Sequence, residues 1–250
     1  AASAEPVSAS FRKLKVILTN VRGLKQASAE LSLRACKYRP HLIGLVETHL
    51  CKDALSGLLP QGYSVVGRLD RSKHGGGLLW CAQSHLLVDK INLKDYNIVG
   101  CAEMLGVRCM DEEFILCYTP NSSLAPLLVN ACENYKLDHP MHRTTFLGDF
   151  NVHNPDWIVS ISPADPGGIM AEEFCQLFGY NQVIDFATHN KGNTLDLVIT
   201  HLHGEAVCWP GLGTSDHFSI GLDLDMESVV PPTPIKEPTL PVSYTHLTLP

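Results

Sequence analysis

The stretch Thr144-Thr145-Phe146-Leu147-Gly148-Asp149-Phe150-Asn151 reads as a short apolar strand running into a glycine and then two polar side chains. Gly148 lets the backbone turn or come close to a ligand. Asp149 and Asn151 are two residues apart, so on extended backbone they point to the same side. The first is an anionic acceptor and a candidate base; the second offers both a donor and an acceptor. At a strand end this pair can hold a water molecule against a phosphate, although an Asx turn uses the same residue types. The rest of the chain decides between the two.

Several other apolar runs also end in polar groups. Lys13 to Thr19 reads as a buried strand ending at Asn20, and Leu24, Ala27, Leu31, Ala35 and Tyr38 recur at helical spacing until Pro40 stops them. His41 to Glu47 is a second strand that delivers a carboxylate at its end. If these two strands are parallel neighbours, Asn20 and Glu47 emerge at one edge of a sheet. Tyr63 to Arg68 is a strand, followed by a polar, basic stretch, the triple glycine Gly75-Gly76-Gly77, and a strand opening at Leu78. No Gly-Lys-Ser/Thr follows the glycines, so they are not a Walker loop, and Arg68, Arg71 and Lys73 are candidates for backbone-phosphate contact. Ala102 to Cys109 and Glu113 to Tyr118 read as strands joined by the acidic turn Met110-Asp111-Glu112. Tyr118 and Asn121 then form a polar rim before a helix marked by Leu124, Leu127, Leu128, Ala131 and Tyr135. Trp157 reads as exposed on a loop, Met170 to Phe178 as a helix, and Val183 to Phe186 as a short strand.

Asp196 lies inside the apolar run Leu195 to Thr200, where an unpaired charge is costly, so it needs a partner, most naturally an imidazole. His201 and His203 alternate without completing a metal set and read as surface residues. Ser215-Asp216-His217 precedes the last strand, Phe218 to Leu224.

At 250 residues the chain is long enough to bury a core without covalent staples. Its formal charge of −7 argues against a polybasic binder, but not against nucleic acid: carboxylates lining a metal site lower the net charge while local Lys and Arg still meet phosphate. The nine cysteines form no CxxC pair, which speaks against a zinc or disulfide framework, and Cys81, Cys117 and Cys208 read as small core residues. The pattern fits a reducing, intracellular setting, with no signal peptide and no membrane-length apolar run. The expected organisation is a disordered segment at 1–10, one domain over 11–226, and a proline-rich linker and non-domain tail at 227–250.

The segments LIGLVETHL, HGGGLLW, YTPNSS, TFLGDFN, THNKGNTLDLVIT and GTSDHFSIGL together resemble the endonuclease/exonuclease/phosphatase superfamily, and within it the endonuclease domain of LINE-type (non-LTR) retrotransposons. The resemblance implies an α/β fold like deoxyribonuclease I: a four-layer α/β sandwich of two packed mixed β-sheets flanked by helices. It implies Mg²⁺, with Mn²⁺ as an alternative, held by Glu47 with help from Asn20 and Asp216. By resemblance Asp149 orients or deprotonates the attacking water, and Asn151 holds that water or the phosphate. His217 donates to a phosphate oxygen, Asp196 fixes its tautomer, and Tyr118 meets the scissile phosphate. Asn121, Thr188, Arg71 and Ser215 are implied substrate contacts. The implied partners are double-stranded DNA and a reverse transcriptase joined at the C-terminal side, with no membrane, in the nucleus after a cytoplasmic phase. The competing readings are an abasic-site repair endonuclease, a phosphatase, or a catalytically silent DNA-binding domain.

Overall fold

A computed structural model of the protein describes residues 12–52 and 55–226. The calls on the first ten residues and on 227–250 lie outside the described residues. The element order is β1 (Lys13–Asn20), α1 (Leu24–Tyr38), β2 (Leu42–Val46), β3 (Tyr63–Leu69), β4 (Leu78–Gln83), β5 (Val88–Ile91), β6 (Glu103–Cys109), β7 (Glu112–Tyr118), α2 (Ala125–Asp138), β8 (Thr144–Asp149), α3 (Pro166–Phe178), β9 (Asn181–Gln182), β10 (Asp196–Thr200), β11 (Gly204–Trp209) and β12 (Ser219–Asp225). The strands form two six-stranded sheets, ordered β11-β12-β1-β2-β4-β3 and β5-β6-β7-β8-β10-β9. Each contains one parallel pair, β1 with β2 and β7 with β8, and is otherwise antiparallel.

The period-two alternation of each central strand explains the layers. Along β1, Leu14, Val16 and Leu18 enter the core between the sheets, while Ile17 joins Leu24, Ala27 and Leu31 of α1 on the outer face. Along β8, Leu147 faces the inter-sheet core and Phe146 packs under α2 and α3 with Leu128, Ala171 and Phe174. The result is helix, sheet, sheet, helix, the four-layer sandwich expected from the sequence. Burying each such side chain contributes about 2 kcal/mol. Trp80 ties the layers together, because its indole Nε1–H donates to the Leu105 carbonyl of the other sheet at 2.9 Å.

Several local expectations change. Glu112 is buried within β7 rather than in the turn, where Thr145 and Arg143 contact its carboxylate at 2.9 and 3.4 Å. His201 lies 3.3 Å from the same carboxylate, so it is a partner of Glu112 and not a bare surface residue. Helix α3 starts four residues earlier than its apolar spacing suggests, because Asp165 caps it by accepting from the Gly168 amide at 2.7 Å and Pro166 opens it. The strand expected at Val183 to Phe186 is the two-residue β9 just before it. Trp157 packs against the outer core of the second sheet, and Cys208 is exposed on the edge strand β11. Among the described residues no helix is long and apolar enough to cross a membrane.

Gly148 shows how closely the chain is fitted where it reaches the site. It sits opposite Cys117 in the parallel β7–β8 pair with φ of 143°, and a Cβ there would collide with the Cys117 carbonyl. Gly148→Ala is therefore expected to destabilise the fold by about 3 kcal/mol or more, from backbone strain and overpacking together. A urea titration checks this; an unchanged midpoint would refute it.

Candidate active site

Register brings the polar strand ends to one edge. In the first sheet Asn20 pairs with Val46 in parallel, so Glu47 follows directly beside it. In the second sheet Tyr118 pairs with Asp149, and Asp149 pairs with Asp196 on the other side, setting three polar residues in one row. The start of β12 is fixed next to β1 by Ser219, whose hydroxyl donates to Thr19 Oγ1 at 2.9 Å, and this brings His217 to the same edge. The two rows face each other because the sheets pack as a sandwich.

The contacts across that edge are direct. The Asn20 amide Nδ2 donates to Glu47 Oε1 at 3.1 Å and to Asp149 Oδ2 at 2.9 Å, so one side chain joins the two sheets. His217 Nδ1 lies 2.7 Å from Asp196 Oδ2, and its Nε2 lies 3.7 Å from Asp149 Oδ2. Asp149, Asp196 and His217 are all buried. Asp149 Oδ1 accepts from the Asn151 amide at 3.2 Å, and the Asn151 side chain donates to the Thr119 carbonyl at 2.7 Å. Glu47 Oε2 meets His49 at 3.0 Å. Arg22, Glu47, His49 and Asn151 have φ between 41° and 53°, a conformation that costs non-glycine residues of order 1 kcal/mol each. Their gathering here shows a rim held in place by its surroundings.

Electrostatics at the site is dominated by crowded anions. Burial, and then the charges of Asp196 and Glu47, push the Asp149 carboxyl well above the usual range, against the pull of His217 and Asn20. Burial alone would lower the His217 imidazole, but the Asp196 and Asp149 carboxylates outweigh it and raise it to about 10. Burial and the charges of Glu47 and Asp149 also raise the Tyr118 phenol. Among the described residues three buried carboxylate oxygens, Glu103 Oε1, Asp196 Oδ1 and Asp216 Oδ1, receive no hydrogen bond. Hard oxygen donors, orphaned acceptors and mutually repelling carboxylates are the setting a divalent cation relieves, so the residues present fit one.

The remaining expected residues serve the frame of the site or lie outside the cluster. Ser215 is structural: its hydroxyl donates to the Asn20 carbonyl at 2.7 Å and accepts from the His217 amide at 3.2 Å. Thr188 is fully buried, and its hydroxyl accepts from the Leu195 and Asp196 amides at 2.9 Å each. It orients Asp196 and does not face a substrate, which corrects its expected role. Arg71 lies 3.1 Å from Glu103 and 5.4 Å from the Tyr118 ring centre, bracing the tyrosine. Arg68 pairs with Asp70 at 2.6 Å. Asn121 is exposed beyond the cluster, accepting from the Ser123 hydroxyl at 2.6 Å. The triple glycine is not a phosphate cradle, for the Gly77 amide donates to Glu103 Oε2 at 2.9 Å and the Gly77 and Gly76 carbonyls accept from Thr48 and His49.

Three residues at the site were not assigned from the sequence. Glu103 is buried opposite Tyr118 and raised by burial, with the Glu47 charge adding to it. His189 forms an isolated bridge with His217, its ring edge-on 4.9 Å away, and its Nε2 lies 3.3 Å from Asp216 Oδ2. Arg22 contacts that same oxygen at 2.5 Å. A charged residue two positions past the buried strand end at Asn20 was the available signal for Arg22; nothing local marked the other two.

No protein-family model matches the sequence, and no curated protein matches it. Solved structures do. The endonuclease domain of TRAS1, a telomere-specific non-LTR retrotransposon, superposes with a TM-score of 0.65 at 16% identity, over 85% of this chain and 98% of that one. The AP endonuclease LMAP from Leishmania major gives 0.64 at 14%, over 90% and 93%. The 3′ phosphatase NExo from Neisseria, solved with a product DNA hairpin, gives 0.62 at 14%, over 85% and 100%. The chain has the endonuclease/exonuclease/phosphatase fold.

Proposed function

We propose that the protein is a metal-dependent DNA endonuclease that hydrolyses one phosphodiester bond of a duplex and leaves a 3′-hydroxyl, which primes reverse transcription for a retrotransposon. The observation that carries this reading is Asn20 bridging Glu47 and Asp149 beside the Asp196–His217 pair. It collects, at one edge, the groups that phosphodiester hydrolysis requires. The likeness to the TRAS1 endonuclease domain supports the retrotransposon setting.

In this mechanism Asp149 accepts a proton from the attacking water, and burial makes it basic enough to do so. Asn151 is anchored through its amide to Thr119, so its side-chain oxygen is positioned near the water or the phosphate. The His217 imidazolium, oriented by Asp196 through Nδ1, presents Nε2–H to a phosphate oxygen. Tyr118, braced by Arg71, lends its hydroxyl to the same group. Glu47 with Asn20 would hold Mg²⁺ or Mn²⁺, which when bound supplies positive charge to the phosphate and the leaving oxygen. Double-stranded DNA and a linked reverse transcriptase are the partners in this reading, which places the work in the nucleus.

The fold also supports a second reading, an abasic-site endonuclease or 3′ phosphatase, because the AP endonuclease and the 3′ phosphatase superpose almost as well. One experiment separates them. Nicking of supercoiled plasmid with Mg²⁺ is expected, and EDTA is expected to reduce it at least about 10³-fold by withdrawing charge stabilisation. The new ends should be extendable by a polymerase, showing a 3′-hydroxyl. Cleavage confined to abasic duplex, or release of phosphate from 3′ ends alone, favours the second reading. Nicking that survives EDTA would defeat both.

A further inference from the structure

Helix α1 covers the outer face of the first sheet with Leu24, Ala27, Leu31 and Ala35. Its opposite face is open: Gln26, Ala29, Leu33 and Cys36 are all exposed, Leu33 by 73%. These positions follow one another at steps of three, four and three, the spacing of a coiled-coil seam, and all but Gln26 are apolar. A lone exposed leucine is ordinary surface; one in the middle of such a seam is not.

The seam runs between two grooves, and Leu33 borders both. One, of about 500 Å³, is walled by Tyr38, Trp209 and Pro210. It is preformed: Arg34 donates to the Pro210 carbonyl at 2.9 Å and lies 5.5 Å over the Trp209 ring, which Tyr38 meets edge-on at 4.8 Å. The other, of about 770 Å³, is walled by Cys36, Pro60 and Tyr63. A protruding apolar side chain beside a hollow on the same patch suits a two-fold contact, because each copy offers what the other receives.

Charge sets the direction. Glu30 and Lys37, one heptad apart, flank the seam on the side of the Trp209 groove. With two helices antiparallel and Leu33 of each against Cys36 of the other, Glu30 of each copy meets Lys37 of the other, so both charges are answered. Run parallel, Lys37 would face Ser32. The antiparallel arrangement also sets the helix dipoles favourably.

We propose that the open face of α1 docks a second copy of this chain, packed antiparallel about a two-fold axis. Helix α1 starts beside the catalytic edge and runs away from it, so the two edges lie at opposite ends of the pair and both stay open.

Sedimentation equilibrium under reducing conditions, over about 1 µM to 1 mM, tests this in the range that modest interfaces reach. Wild type should approach twice the mass of one chain. Leu33→Glu should weaken association at least about 10-fold, and Glu30→Lys and Lys37→Glu should each do about the same by setting like charges face to face. The double variant Glu30→Lys/Lys37→Glu should return to within about 3-fold of wild type, a rescue that misfolding cannot produce. A chain that stays monomeric throughout, a dimer that Leu33→Glu leaves intact, or a double variant no better than the single ones would overturn the proposal. Association is measured without DNA, so it stands or falls separately from the nuclease reading.

Discussion

Asp149→Asn is expected to slow plasmid nicking by about 10³-fold or more while leaving the fold as stable as before, or slightly more so. The rate loss follows from the position of the carboxylate. Asp149 touches Asn20 and Asn151, lies 3.7 Å from His217 and pairs with Tyr118 and Asp196 across the sheet, so it stands at the centre of the site. Asparagine keeps the shape but cannot take a proton from water, and general-base catalysis is worth about 10²–10⁴ in rate. Lost charge complementarity toward His217 and the metal side adds to this. The stability argument has the opposite sign. Burial and the nearby Asp196 and Glu47 charges disfavour the ionised carboxylate, so a neutral side chain of equal volume relieves that cost, which offsets the one hydrogen bond lost because both Asp149 oxygens accept, from Asn20 and from Asn151. Nicking rates and thermal melts of the pure variant check both halves. Full nicking, or a melt lowered by several degrees, would show that Asp149 is structural and not catalytic.

The legible part of this site was the part that violates a local rule. Asn20 and Asp196 are polar groups in strands that bury nearly everything else, and such groups must find partners. That logic anticipated the imidazole beside Asp196, which His217 supplies. The sandwich was legible only through the resemblance carried by segments such as TFLGDFN and GTSDHFSIGL; strands with both faces apolar need a layer on each side, but that alone does not set the number of layers. What could not be read depends on register and on distant pairing. Glu103 stands at the head of an apolar strand and looks like a solvated start; only its pairing with Tyr118 buries it. His189 matters because its turn folds back onto His217, a contact across 28 positions that no periodicity announces. Thr188, read as a substrate contact, points inward to the Asp196 backbone. Strand β11 was missed because its edge position leaves most of its residues exposed or half-buried, so no alternating apolar pattern survives.

Asp196→Asn should separate the charge of His217 from its position. In the native site the ring is both held and kept protonated: Nδ1–H donates to Asp196 at 2.7 Å, and the two carboxylates raise the imidazole to about 10. An asparagine oxygen can still accept from Nδ1, so the ring stays oriented, but the nearest charge favouring the imidazolium is gone. With a folded pKa raised above its unfolded value, the contribution of His217 to stability is complete below about 6.5 and is lost as pH rises toward about 10. In Asp196→Asn that contribution should be smaller and its loss complete at lower pH, because only the folded pKa falls, and the alkaline limb of the nicking profile should move down with it. The expected result is a rate about 10²-fold below wild type at pH 8, partly recovered at pH 6, in the range general-acid contributions span. His217→Ala should lose the activity at both values. Single-turnover nicking from pH 6 to 9, with the ring signals of His217 followed by NMR, reads out the charge directly. An alkaline limb that stays where it is in Asp196→Asn would mean that the protonated ring takes no part, and Asp196 would then be only a buried anchor for the β12 entry.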